Sequence, residues 1–167
     1  MMDVILSRRS IRQYTDEPVS EQLVKELLEA AMSAPSAKNQ QPWHFIVIRD
    51  RATLGKIPEF HPYSQMLLQA QVAIVVCGDE QLEVSKGNWA QDCSAATQNI
   101  LLAAHAKGLG AVWLGVYPRE ERVGPLKELL GIPESVIPLS IVSIGYPAFK
   151  KEPANRYNES RVHYERW

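Results

Sequence analysis

The sequence predicts an α+β protein or a mixed α/β/α sandwich, and three observations carry that expectation. Strand-length apolar runs are interleaved with helix-period segments, but their connections are too irregular for a doubly wound sheet. VAIVVC (72–77) is a continuous apolar run, as expected of a strand buried on both faces. Residues 88–107 set Trp89, Ala90, Cys93, Ala96, Ile100, Leu101 and Ala104 around more than one side, so this long helix is central and packed by several neighbours.

From the N-terminus, Asp3 is placed to cap a short helix carrying Arg8-Arg9-Ser10. Ser20 caps a second helix whose apolar face is Leu23, Val24, Leu27, Leu28 and Ala31, and Pro35 stops it. WHFIVI (43–48) reads as a strand, followed by helical stretches at 51–57 and 62–70. After VAIVVC and the central helix, Gly108 and Gly110 end the helix and LGAVWLGV (109–116) forms a third strand. Residues 119–130 read as a helix that Gly124-Pro125 should break or kink, and IPLSIVSIG (137–145) is the fourth strand. The polar tail that follows has no helical period, yet it ends in Val162, Tyr164 and Trp167. Such apolar groups are expected to dock on something, a partner subunit being one candidate.

The 167 residues suit one domain with one core, and no boundary precedes about residue 146. A net charge of −1 does not favour non-specific attraction to nucleic acid or anionic membrane. No run approaches the ~20 apolar residues of a spanning helix. Cys77 and Cys93 sit inside apolar patterns without a CxxC, as buried thiols do, and the four histidines lack metal-ligand spacing. The expectation is a soluble cytoplasmic protein without a metal site.

APSAKNQQPWH (34–44) joins a helix to a strand and is unusually rich in amides: Asn39, Gln40 and Gln41, beside Ser36 and Lys38. Ordinary connections take about 2 to 6 residues. Amides both donate and accept, which suits the mixed donor and acceptor edge of a flavin ring. RRSIR (8–12) supplies three guanidinium groups and a hydroxyl; on a helix, Arg8 and Arg12 would share a face and fork onto a phosphate. There is no GxSxG, Walker motif or GxGxxG, so any reactivity is expected from a bound cofactor.

In order and spacing, RRSIRQYTDEPV, APSAKNQQPWHF, the alanine-rich helix before KGLGAVWLG, LGIPE, the strand ending in GYP, and RYNESRVHYERW resemble the nitroreductase family of FMN-dependent oxidoreductases over essentially the whole chain. The resemblance implies a single FMN-binding domain over 1–167 and a homodimer of α/β/α subunits. Their sheet would be mixed and mainly antiparallel, with the C-terminal tail packing on the partner and FMN at the subunit interface. Arg8, Ser10 and Arg156 would hold the phosphate with Arg9 close by, and Arg12 would sit near N1 and O2 of the ring. Pro35, Ser36, Ala37 and Asn39 would reach FMN from the opposite subunit, Gln41 supporting that loop, while Leu114 and Gly115 lie near N5. Larger members carry a lysine where this chain has Ala154, and Lys150 or Lys151 is placed to compensate. A side chain between Tyr63 and Met66 would meet the pyrimidine end. NADH or NADPH would reduce the flavin, and nitroaromatics or quinones would reoxidise it in a ping-pong cycle through an open pocket short of charged specificity groups. A flavin-binding redox sensor or FMN store, or a specialised reductase of the same fold, are the alternatives.

Overall fold

The computed structural model of the chain describes residues 2–167. Four strands, β1 (Trp43–Ile48), β2 (Val72–Asp79), β3 (Gly110–Gly115) and β4 (Val136–Gly145), form one sheet in the spatial order β1-β2-β4-β3. All three ladders are antiparallel. The one parallel element among the described residues is a bridge from Ser10 to Ala111, which lays the N-terminal segment along the outer edge of β3.

The helices are α1 (Met2–Ser7), α2 (Glu21–Met32), α3 (Arg51–Lys56), α4 (Trp89–Ala106) and α5 (Glu120–Leu130). Alternation along β2 decides the layers. Val72, Ile74 and Val76 pack with α2 and α4, whereas Ala73, Val75 and Cys77 pack with Leu54 of α3 and Val123 and Leu126 of α5. Both faces are covered, which is why β2 reads as a continuous apolar run. α4 touches all four strands. The Ser20 hydroxyl caps α2 by accepting from the Leu23 N–H at 3.2 Å.

Three local expectations are corrected. The first helix ends at Ser7, before the arginines, and Asp3 lies within its first turn. Residues 8–15 are instead extended. The Ile11 N–H donates to the Ala111 carbonyl (3.0 Å) and the Thr15 N–H to Tyr146 (2.9 Å), so pairing with the sheet edge overrides helix continuation. Arg8 and Arg12 therefore share no helix face. Second, α5 runs unbroken through Pro125 to Gly131, whose left-handed backbone (φ 63°) ends it. Proline removes one hydrogen bond, and the buried flanking residues Val123 and Leu126 hold the helix to the core. Third, the stretch around 62–70 contributes one 3-10 turn, Gln65–Leu68, and α3 passes into another at Ile57–Glu59.

Cys77 and Cys93 are buried free thiols, and burial pushes both up to about 12. Among the described residues, no helix is long and apolar enough to cross a membrane, and no cluster of three or more metal-ligating side chains occurs.

Candidate functional site

The extended segment after α1 distributes its side chains among three clefts. Arg8 and Arg156 share one of about 450 Å³ with Ile5, Leu6, Ala154 and Tyr157. Burial lowers Arg8 from its ordinary value, and the like charges of Arg156 and then Arg9 lower it further. Among the described residues neither Arg8 nor Arg156 forms an ion pair. Converging cations without a carboxylate suit an anion with several acceptor oxygens, such as a phosphate. The fit to the FMN phosphate is good on that ground.

Arg9 faces the other way, as period-2 alternation requires of extended chain. It lines a groove with Ser7, His105, Phe149, Lys150 and Lys151 and donates to the Glu152 carbonyl. Lys151 Nζ donates to the Ser10 carbonyl at 3.2 Å, so of the two candidate lysines it is the one tied to the RRS segment.

Arg12, Leu114 and Gly115 meet in a further cleft, of about 440 Å³, with His61, Pro62, Tyr63, Gln65, Met66, Trp113 and Arg122. The Val116 N–H donates inward to Leu139, so strand alternation turns the N–H and carbonyl of Gly115 outward from β4. That carbonyl is held twice, by His61 Nε2 at 2.9 Å and by Arg122 Nη1 at 2.8 Å. Because a carbonyl only accepts, His61 carries its proton on Nε2; its buried Nδ1 has no partner. His61 is 1% exposed, and burial holds its pKa below the ordinary value, with the Arg122 charge acting in the same direction and the Gly115 carbonyl opposing. A Cβ on Gly115 would meet no atom within 4 Å, so the strand surface at this point is open to a flat ligand.

The amide-rich loop lines neither of the clefts that hold Arg8 and Arg12. Lys38, Asn39 and Gln41 all have positive φ (51°, 54° and 47°), a strained cluster that needs strong anchoring. The anchor is Asp92, buried in the first turn of α4. One oxygen accepts from the Ala37 N–H (3.0 Å) and the other from Gln40 Nε2 (2.7 Å). The Gln40 oxygen accepts from the N–H groups of Val84 and Ser85 at 2.9 and 2.8 Å. Gln41 donates from its backbone to Ser36 Oγ and from its side chain to Asn39 Oδ1. The amide richness is thus largely internal scaffolding: Gln40 is consumed by the chain itself, while Pro35, Lys38, Asn39 and Gln41 are exposed.

Sequence reasoning missed Asp92, His61 and Arg122. Asp92 looks like an ordinary first-turn acid, and nothing in spacing links 61 to 122. The expectation of a pocket short of charged specificity groups is corrected, since Arg122 stands in its wall.

A pair of unpaired cations for an anion, and beside them an open strand edge with an apolar floor, are the parts of an oxidoreductase built around a phosphate-bearing cofactor. The nitroreductase family profile matches residues 5–60 and 60–146. A protein of Methanothermobacter thermautotrophicus named for NADH dehydrogenase and NAD(P)H nitroreductase is 53% identical over 167 residues, covering 100% of this chain and 87% of the relative. A crystal structure from Parabacteroides distasonis, similarly named, superposes with a TM-score of 0.96 at 42% identity, covering 99% of this chain and 98% of that one. A nitroreductase structure from Desulfovibrio desulfuricans, described as a complex with FMN, has a TM-score of 0.86 at 35% identity, covering 99% and 96%. The chain belongs to the nitroreductase family of FMN-dependent NAD(P)H oxidoreductases.

Proposed function

We propose that this chain, as a homodimer, uses NADH or NADPH to reduce small acceptors, nitroaromatics or quinones, through one shared cleft. FMN, when bound, accepts hydride from the nicotinamide and passes electrons to the acceptor. Arg8, Ser10 and Arg156 hold its phosphate. Arg12 places a fixed cation at the pyrimidine end, where negative charge collects on reduction. Leu114 and the outward edge of Gly115 support the ring, and Tyr63, Gln65 and Met66, which line the same cleft as Arg12, are the candidates for a contact at its pyrimidine end. Pro35, Ser36, Ala37 and Asn39 of the second subunit, backed by Gln41, complete the site. The α1 side chains Met2, Ile5 and Leu6 and the tail residues Tyr157, Tyr164 and Trp167, all exposed in a single chain, are the surface for that association.

The observation that carries this reading is that one extended segment presents Arg8 to the anion cleft and Arg12 to the open strand edge. Donor and acceptor use the cleft in turn, because it offers one open face. Anaerobic NADH or NADPH should bleach the yellow protein, and a quinone should restore the colour. Double-reciprocal plots at several acceptor concentrations should be parallel. Intersecting lines would replace the shared cleft with a ternary complex, and failure of both nicotinamides to bleach the flavin would leave a flavin-binding sensor or store as the function.

A further inference from the structure

Arg122 and Tyr63 stand together in the wall of the cleft. The guanidinium carbon lies 5.5 Å from the Tyr63 ring centroid, and Tyr63 is 70% exposed. Arg122 Nη1 is fixed on the Gly115 carbonyl, and its buried Nε has no partner. Among the described residues Arg122 has no ion pair, and the cleft lining contains neither Asp nor Glu. His61, the titratable neighbour, is held towards its neutral form. A partly buried cation whose partners are one carbonyl and the face of one tyrosine ring, with no carboxylate, is a costly arrangement that an anionic ligand relieves. Tyr63 beside it offers a flat surface on which an aromatic ring can stack.

We propose that Arg122 determines acceptor specificity: the preferred acceptors are planar rings bearing an anionic group, which pairs with the Arg122 guanidinium while the ring lies along Tyr63. This rests on the oxidoreductase reading of the cleft and narrows it to a substrate class.

The test uses matched charged and neutral probes with the FMN-loaded protein. Benzoate and benzamide are titrated against the visible spectrum of the oxidised flavin, and para-nitrobenzoate and para-nitrobenzamide are compared as acceptors. The anionic member of each pair should be favoured about tenfold, the scale of one charge-assisted contact. High salt should shrink the preference. Arg122→Gln should bring both ratios close to one, and Arg122→Lys should restore part of them. Equal binding of benzoate and benzamide by the unaltered protein overturns the proposal without recourse to a variant. So does a preference that survives Arg122→Gln. If Arg122→Gln weakens NADH or NADPH in the flavin-reduction half-reaction and leaves the acceptor ratios unchanged, the cation serves the donor's phosphates and the proposal falls. Should neither nicotinamide bleach the flavin, the function proposed above fails, while the benzoate and benzamide titration still decides the role of Arg122.

Discussion

Asp92 is a carboxylate buried at the start of a helix, and both its oxygens are engaged by the 37–40 loop. Asp92→Ala strands the Ala37 N–H and the Gln40 amide and frees three left-handed residues to relax. FMN affinity is expected to fall, and urea denaturation to show a loss of about 1–3 kcal/mol, the cost of buried groups left unpaired. His61 makes a pH prediction. Its folded pKa lies below the unfolded one, so above the unfolded value, ordinarily about 6.5, folding carries no proton penalty. As pH falls below that value, the unfolded chain takes up a proton that the folded chain resists, and stability is lost. Melting temperature should therefore drop between about pH 7 and 5, and the drop should be shallower in His61→Gln. Arg8 and Arg12 part company in the structure and should do so in function. Arg8→Ala should cost about 2–3 kcal/mol of FMN affinity with the flavin potential little changed. Arg12→Ala should lower that potential by removing a counter-charge. Equal potential shifts in the two variants would refute the division.

The N-terminal segment is held by backbone pairing and by close packing at two glycines. A Cβ on Gly110 would fall 2.7 Å from Ile11 Cγ2, and one on Gly145 would fall 2.9 Å from the Tyr14 ring. These absent side chains let residues 11–14 press onto the sheet, which sets where Arg8 and Arg12 point. Gly110→Ala sets a methyl group against the Ile11 side chain, down to its Cβ, and pushes Ile11 outward. It should weaken FMN binding although residue 110 lines neither the Arg8 nor the Arg12 cleft. Titration calorimetry with FMN and a melting curve will show this as lost affinity with lost stability; unchanged affinity would show that the segment does not control the arginines.

Across the whole molecule, the Arg8 and Arg12 clefts and the amide loop are separate within one chain, and the proposed function joins them across a twofold. Association and FMN binding should then be linked, since a ligand that binds only the dimer favours it by mass action. Sedimentation should give a dimer for the FMN-loaded protein and weaker association for the apoprotein. A flavin-saturated monomer would disprove the shared site. Both thiols should resist alkylation at pH 8 until the chain unfolds, because burial holds them protonated at that pH.

The sequence by itself determined the strands, the α2 cap, the central helix and the residue types suited to a phosphate and a flat ring. Those are local matters of period, capping and turn chemistry, and order along the chain made the family legible. What the tertiary structure decided was where side chains point. Edge pairing with β3 turned RRSIR from a presumed helix into extended chain, so Arg8, Arg9 and Arg12 went to three different clefts. A proline in α5 was outweighed by the burial of its neighbours. The amide loop proved to be held from within by Asp92, more than 50 residues away along the chain. Arg122, His61 and Tyr63 met at Gly115 through the packing of separate loops and helices against one strand edge. Local sequence carries no record of such meetings, because the energy that fixes them is the burial of the sheet's two faces and the pairing of its edge.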